Sequence, residues 1–185
     1  MKNLVIITGP SAVGKTTVAK EIFKLFPALK SAVTYTTREA RTWSQEDKLI
    51  HHITKDEFKD LIKNNKLIEW AEVYGEFYGT GKEELLNILE QSPVLLNIDV
   101  QGAKNIKQQF PASLSFFIQP DSLAILKHRI DARPINQEIK DRRWQAAQAE
   151  MAQNTIFDYQ ITNIDGQLAE TVAKISQILS EKLKF

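Results

Sequence analysis

The residues with the clearest chemical meaning form a glycine-rich loop near the start of the chain. They match the pattern G-x-x-x-x-G-K-[ST] and run Gly9-Pro10-Ser11-Ala12-Val13-Gly14-Lys15-Thr16. The two glycines let the backbone turn so that successive N–H groups point at phosphate oxygens, and the N-terminus of a following helix adds partial positive charge. Lys15 would reach the β- and γ-phosphates, and the Thr16 hydroxyl would ligate Mg²⁺. The loop therefore predicts nucleotide binding.

The segments on either side have the pattern that such a loop requires. Residues 4–8 are apolar and mostly β-branched, which indicates a buried strand. From Thr17 onward, apolar residues recur on one face of a predicted helix. The alternative is an ordinary glycine turn before a helix. A chance match to the whole pattern in a chain of this length is on the order of 1%, so the phosphate site is favoured.

Two arginines beside a threonine-rich segment form a second candidate site. Arg38 and Arg41 follow Thr34 and Thr37 near the end of a predicted strand. Two guanidinium groups suit bidentate binding of a phosphate monoester. Without the other motifs, the alternative of two solvated surface arginines would be favoured.

An acidic residue follows another predicted buried strand. This strand covers residues 93–100 and brings Asp99 to its carboxyl end, where ligands of open α/β sheets bind. Asp99 could hold Mg²⁺ directly or through water. The alternative is an aspartate that only caps the next helix.

A group of arginines surrounds a predicted break at Pro134. It consists of Arg129, Arg133, Arg142 and Arg143. On a mobile segment, such side chains can close over a triphosphate and neutralise charge while a phosphoryl group passes between oxygens. Alone, they would form a solvated helix face.

The composition limits the partners of the chain. Its 24 Lys and Arg residues nearly balance its 23 Asp and Glu residues, so it lacks the basic excess typical of nucleic-acid binders. Cysteine is absent, which excludes a disulfide framework and a cysteine nucleophile. The apolar runs are far short of a membrane span, and the early first strand leaves no room for a signal peptide. We therefore expect a cytoplasmic enzyme without nucleic-acid or membrane partners, either a monomer or a weak homodimer.

Predicted strands and helices alternate along most of the chain. This alternation is typical of an α/β fold with a parallel sheet covered by helices on both faces, which makes three layers. Residues 33–83 differ because their segments are mixed and strand-rich. They indicate an insert on the core.

With these residues collected, the chain resembles a guanylate kinase over nearly its whole length. Besides the glycine-rich loop, the resemblance rests on residues 34–41 (TYTTREAR), 68–73 (IEWAEV), 78–80 (YGT), 97–102 (NIDVQG) and 147–150 (AQAE). It implies a three-layer P-loop nucleotide kinase with a core of residues 1–32, 84–125 and 145–185, a GMP-binding insert at 33–83 and a helical lid at 126–144. It also implies transfer of the γ-phosphate of ATP to GMP or dGMP with Mg²⁺.

The resemblance further implies roles for individual residues. Those expected to take part in the transfer are Lys15, Arg38, Arg41, Arg133 and Arg143. Those expected to bind ATP are Gly9, Pro10, Ser11, Ala12, Val13, Gly14, Lys15, Thr16, Thr17 and Asn163. Arg38, Arg41 and Tyr78 would hold the GMP phosphate. Thr34, Glu69 and Thr80 would face guanine. Thr16 and Asp99 are the expected metal ligands.

Some positions depart from the family pattern. The family's phosphate-binding tyrosine falls on Ile50, which makes the adjacent His51 a candidate substitute in GMP binding. Asn97 stands on the guanine side where aspartate is usual, and Pro134 stands where the lid usually has glycine. Two further hypotheses stay open. One is a kinase of another phosphorylated acceptor, and the other is a non-catalytic guanylate-kinase-like binding module, which typically has lost parts of the phosphate loop.

Overall fold

The structure is a computed structural model that describes residues 3–40 and 50–183. The strands in these residues are β1 (Leu4–Thr8), β2 (Lys30–Ser31), β3 (Thr34–Thr36), β4 (Ile50–His52), β5 (Leu67–Val73), β6 (Glu76–Gly81), β7 (Val94–Asn97), β8 (Leu114–Pro120) and β9 (Tyr159–Asn163). The helices are α1 (Lys15–Leu25), α2 (Lys55–Lys63), α3 (Lys82–Leu89), α4 (Val100–Gln109), α5 (Leu123–Asp131), α6 (Gln137–Met151) and α7 (Leu168–Lys182).

A parallel sheet forms the centre of the fold, with the strand order β2-β7-β1-β8-β9. Every residue of the middle strand β1 is buried. Val5 and Ile7 join one hydrophobic cluster, whereas Leu4 and Ile6 join another. Because side chains alternate across a strand, helices must cover both faces of this sheet. Helices α1, α5 and α7 supply the first cluster, and α3 and α4 supply the second. The predicted three-layer α/β fold is confirmed.

The carboxyl ends of the parallel strands meet at one edge of the central sheet. This edge carries the glycine-rich loop after β1, Asp99 after β7 and Asn163 at the end of β9. Open α/β sheets bind their ligands at such an edge. The predicted lid, residues 126–144, covers most of α5, the turn around Pro134 and the first half of α6.

A second sheet has the strand order β4-β3-β6-β5, and its described strands all come from the predicted insert. Strand β6 runs antiparallel to both β3 and β5. Helix α2 covers one face through Phe58, whose ring stacks on Phe77 at a centroid distance of 5.3 Å. A capping box begins α2: the Thr54 hydroxyl accepts the N–H of Glu57, and the Glu57 carboxylate accepts the N–H of Thr54. Helix α2 does not cover the opposite face of the sheet.

No helix within residues 3–40 and 50–183 combines the length and the apolar character that a membrane crossing needs.

Gly9 joins β1 to the loop at a point where the backbone is crowded. Its φ is 137°, and an added Cβ would overlap the carbonyl oxygen of Ile118 in β8. Gly75 has a φ of 83°, but open space surrounds the position that an added Cβ would take on Gly75. We expect Gly9→Ala to lower the free energy of unfolding by about 3 kcal/mol and Gly75→Ala by about 1 kcal/mol. Urea denaturation measures both, and equal losses would show that β8 moves aside without cost.

Candidate active site

The loop after β1 has the backbone shape of an anion site. Gly9, Ala12 and Gly14 have φ values of 137°, 67° and 102°. Gly14 is the N-cap of α1, and its carbonyl accepts the N–H of Val18 at 3.0 Å. The first N–H groups of a helix have no intrahelical partner, so those at the start of α1 are available to phosphate oxygens. The positive φ of Ala12 is unusual for a residue with a side chain and is typical of functional sites.

Lys15 begins α1 and folds back over the loop. Its Nζ donates to the carbonyl oxygens of Gly9 at 2.6 Å and Pro10 at 3.0 Å. Burial lowers the pKa of Lys15, while the charges of Glu150 and Asp99 act in the opposite direction. A phosphate would give this buried ammonium group charge-assisted hydrogen bonds, which are stronger than bonds to neutral carbonyls.

The buried side-chain amide of Asn163 supports the loop. Asn163 Nδ2 donates to the Val13 carbonyl at 2.8 Å, and its Oδ1 accepts the Thr171 hydroxyl at 3.0 Å. Arg129 also donates to the Val13 carbonyl, at 3.3 Å, and forms an ion pair with Asp165. These contacts use both polar groups of the Asn163 side chain to support the loop. The adenine contact expected of Asn163 stays a prediction.

The expected magnesium ligands lie at the starts of α1 and α4. Asp99 caps α4: its Oδ1 accepts the N–H groups of Gln101 at 2.8 Å and Gly102 at 3.0 Å. Both bonds go to Oδ1, so Oδ2 is available to another partner. The exposed Thr16 hydroxyl accepts a hydrogen bond from Asn97 Nδ2 at 3.3 Å. Asn97 therefore lies beside the loop, and its GMP contact stays a prediction.

This donor set suits Mg²⁺ better than metals that need a full protein cage. The part of the chain that the structure describes holds no cluster of three or more His, Cys, Asp or Glu side chains placed around a metal position. Mg²⁺ prefers oxygen ligands and usually keeps several waters, taking one or two carboxylates and substrate phosphates as further ligands. A hydroxyl and one carboxylate oxygen fit that preference.

Three side chains expected to face guanine form a row across the second sheet. Thr34 on β3 lies opposite Thr80 on β6, and Thr80 lies opposite Glu69 on β5. Residues that are directly opposite share one face of a sheet. The Thr80 hydroxyl donates to Glu69 Oε1 at 2.6 Å. Glu69 Oε2 occupies the space where a Cβ would lie on Gly102 of α4, so the row faces the core.

Glu69 is a carboxylate that is only 5% exposed. Burial raises the pKa of Glu69 from 4.5 to about 7, although hydrogen bonds involving Thr80 act in the opposite direction, and the charge of Asp99 adds to the increase. Hydrogen-bond donors on a ligand would favour the ionised form.

The residues expected at the GMP phosphate are only partly described. Arg41 lies outside the described residues. Tyr78 is on β6 two positions before Thr80 and therefore on the same face. Arg38 follows β3, and its carbonyl oxygen lies 2.6 Å from His52 Nδ1.

His51 is not brought together with these residues. In the β3–β4 pair it lies opposite Tyr35, with the ring centroids 5.2 Å apart, on the face away from Thr34. Because side chains alternate along a strand, the neighbouring His52 shares the face of Thr34 and Thr80 instead. The expectation for His51 rested on its adjacency to Ile50 and did not take this alternation into account.

The lid arginines flank the glycine-rich loop. Arg143 of α6 donates from Nη1 to the Ser11 hydroxyl at 3.0 Å, and its guanidinium carbon lies 4.5 Å from the centre of the Tyr74 ring. Arg133, between α5 and α6, acts through its charge on both Lys15 and Tyr74. Arg143 thus contacts the loop that Lys15 also contacts, and the charge of Arg133 acts on Lys15.

Two residues of this site, Glu150 and Tyr74, were not predicted from the sequence. Burial raises the pKa of Glu150, while the charge of Lys15 and the backbone N–H of Ser11 act in the opposite direction. Among the described residues, Glu150 Oε2 has no hydrogen-bond partner although it is buried. Both residues line an open cleft of about 460 Å³ beside Asp99. One signal was available: Glu150 follows Arg143 by two helical turns, which puts both on one face of α6.

A phosphate-binding loop on a parallel sheet, a second sheet facing it and arginines between them define a P-loop kinase. A family profile described as guanylate kinase matches residues 1–182. The chain belongs to the guanylate kinase family.

Similar proteins agree with this assignment. A curated guanylate kinase from Prochlorococcus marinus is 39% identical over 181 residues, which cover 97% of each chain. One from Carboxydothermus hydrogenoformans is 37% identical and covers 98% of this chain and 89% of its own. The crystal structure of guanylate kinase from Anaplasma phagocytophilum has a TM-score of 0.77 at 29% identity, covering 98% of this chain and 86% of that one. A shikimate kinase from Acinetobacter baumannii, with a TM-score of 0.54 at 15% identity over 100% of this chain and 97% of that one, is similar in fold alone.

The raised pKa of Glu69 predicts a stability effect that depends on pH. Between pH 4.5 and about 7 the folded protein holds a proton that the unfolded chain has released, so stability falls across this range. Glu69→Gln keeps the acceptor for Thr80 and removes the buried charge. We expect this variant to be more stable than the wild type by up to about 3 kcal/mol at pH 8, with no difference near pH 4.

Urea denaturation across this pH range measures the effect. Glu72→Gln, which changes an exposed carboxylate on the same strand, is the matched control and should show little change. A wild type more stable than Glu69→Gln at pH 8 would contradict the assignment of Glu69 as a destabilised buried charge.

Proposed function

We propose that this chain transfers the γ-phosphate of ATP to GMP or dGMP, giving ADP and GDP or dGDP. The observation that carries the proposal is the row of Thr34, Thr80 and Glu69, which points toward the core from the second sheet. It presents a buried carboxylate and two hydroxyls on one face of the sheet, with the carboxylate against the start of α4 near Asp99. Membership of the guanylate kinase family supports it.

Guanine matches this row chemically. It offers N1–H and an exocyclic amino group as donors beside the O6 acceptor. An ionised Glu69 only accepts hydrogen bonds and can take both donors. The hydroxyl of Thr80 orients the carboxylate, and that of Thr34 can donate to O6. Adenine would place the lone pair of N1 against the carboxylate and leave buried polar groups unpaired, which is costly.

The acceptor phosphate would bind beside this row. Arg38, Arg41 and Tyr78 supply two guanidinium forks and a phenol, which suit a phosphate monoester. The bond between His52 and the Arg38 carbonyl supports the backbone from which the Arg38 side chain extends. In this proposal the acceptor phosphate binds to the insert and the ATP phosphates bind to the loop.

The phosphates of ATP would lie on the N–H groups of residues 9–17, with Asn163 near the adenine. Lys15, Arg133 and Arg143 would stabilise the charge on the transferring group, which is how enzymes of this kind catalyse in-line transfer. Mg²⁺ would be held by Thr16, and by Asp99 directly or through water, and would neutralise phosphate charge. Closure of the insert, 33–83, and the lid, 126–144, over the core would exclude water from the reaction.

The remaining proposals concern partners and location. The near-balance of acidic and basic residues supports small-molecule substrates over nucleic acid. We propose a cytoplasmic enzyme that is a monomer or a weak homodimer.

An assay of ADP release tests the proposed acceptor. With ATP and a panel of GMP, dGMP, AMP, CMP and UMP, we expect GMP and dGMP to be preferred over AMP by a factor on the order of 10⁴ in kcat/KM. Glu69→Gln should lose much of this preference because an amide cannot accept both guanine donors. Glu72→Gln should keep it. Equal turnover of AMP and GMP by the wild type would refute the assignment of Glu69 as the guanine reader.

The acceptor-phosphate site predicts a separate response to substitution. Arg38→Ala should raise the KM for GMP, or lower kcat, by roughly tenfold to a hundredfold, since it removes a charge-assisted bond. ATP affinity, measured by direct titration, should change little. His51→Ala is the comparison variant and should leave the KM for GMP unchanged, because His51 faces away from Thr34. An increase in the KM of that variant would place His51 among the phosphate ligands.

A further inference from the structure

The turn between β5 and β6 carries a residue that does not suit its backbone. Tyr74 and Gly75 are the two central residues, and both have positive φ, 56° and 83°. Two-residue hairpin loops of this shape favour Asn or Asp followed by Gly. A tyrosine at such a position costs roughly 1 kcal/mol. Contacts of the tyrosine side chain must therefore compensate for this cost of the backbone conformation.

That side chain bridges the insert and the lid. The ring of Tyr74 is partly buried, and the guanidinium carbon of Arg143 lies 4.5 Å from its centre, within the range of a cation–π contact. The same guanidinium donates from Nη1 to the Ser11 hydroxyl at 3.0 Å. Arg143 is thus fixed on one side by the insert and on the other by the glycine-rich loop.

Burial keeps the phenol of Tyr74 neutral. Burial raises the pKa of Tyr74 to about 12, the charge of Glu150 adds to this, and Arg143 and Arg133 act in the opposite direction. The backbone N–H of Ser11, the loop residue that Arg143 contacts, also lowers the pKa of Glu150 against the effect of burial. Tyr74, Arg143 and Ser11 therefore connect three separate parts of the chain.

We propose that Tyr74 is a positioning residue that holds Arg143 over the glycine-rich loop when the insert approaches the lid. Because Tyr74 belongs to the acceptor-binding insert and Arg143 to the lid, the contact forms only when these two parts are close together. Arg143 would then be placed for phosphoryl transfer only when the acceptor side has closed. This inference rests on the role proposed above for Arg143.

Tyr74→Asn is the decisive variant because it suits the turn while it removes the ring. We expect its melting temperature to be equal to or higher than that of the wild type. Its kcat should fall roughly tenfold, the range that a partly buried cation–π contact allows, with the KM values for GMP and ATP nearly unchanged. Tyr74→Phe keeps the ring face and should retain most of kcat. Trp70→Leu, which removes an exposed aromatic ring elsewhere on the insert, is the control and should keep kcat.

A double-mutant cycle separates the proposed contact from other effects. In an Arg143→Ala background, Tyr74→Asn should cause no further loss of kcat. An equal loss in both backgrounds, or a wild-type kcat in Tyr74→Asn, would overturn the inference while leaving the proposed function intact. A wild type that does not phosphorylate GMP would instead overturn the proposed function, and the role of Tyr74 with it.

Discussion

The glycine-rich loop is an anion site made of backbone N–H groups, and such a loop cannot hold its own shape. A helix or a strand satisfies its peptide groups internally, whereas this loop must leave its donors unpaired for phosphate. Lys15 of the loop itself holds two of its carbonyl groups, and other elements hold the rest of the loop. Asn163 and Arg129 donate to the Val13 carbonyl, and Arg143 donates to the Ser11 hydroxyl. The close approach of Gly9 to β8 fixes where the loop starts. The shape of the loop therefore depends on the positions of α5, α6 and β9, which carry the side chains that contact it.

A second constraint is the burial of charge around the two substrate positions. Burial lowers the pKa of Lys15 and raises those of Glu69 and Glu150, so each of these groups is less stable in its charged form than it would be in water. Phosphate would compensate Lys15, and the donors of guanine would compensate Glu69. The burial that destabilises these charged groups would therefore also favour the binding of substrates that compensate them. Family membership, together with Lys15 and Thr16 in the loop, favours the enzyme over a non-catalytic binding module.

Features that depend on near neighbours in the chain could be predicted from the sequence. The loop, the buried strand before it and the α/β alternation follow from local spacing, and the fold class and family are confirmed. Asp99 shows the limit of such arguments, because the sequence offered helix capping and metal binding as alternatives. In the structure Oδ1 caps α4, and Oδ2 is still available to a metal. His51 shows another limit: choosing between it and His52 requires the face of the strand, which pairing with β3 determines. The contacts of Arg143 with Tyr74 and Ser11 join segments that are distant in the chain, so no pattern within one segment predicts them.

The bond between Asn163 and Val13 has a consequence for how the protein is made. It joins positions that are 150 residues apart, and Thr171 in turn fixes the Asn163 side chain from α7. A ribosome synthesises the glycine-rich loop first and β9 among the last strands of the sheet. The Val13 carbonyl can therefore gain this hydrogen bond only after translation has passed the end of β9. A partly synthesised chain that ends before β9 would carry the sequence of the glycine-rich loop without this contact.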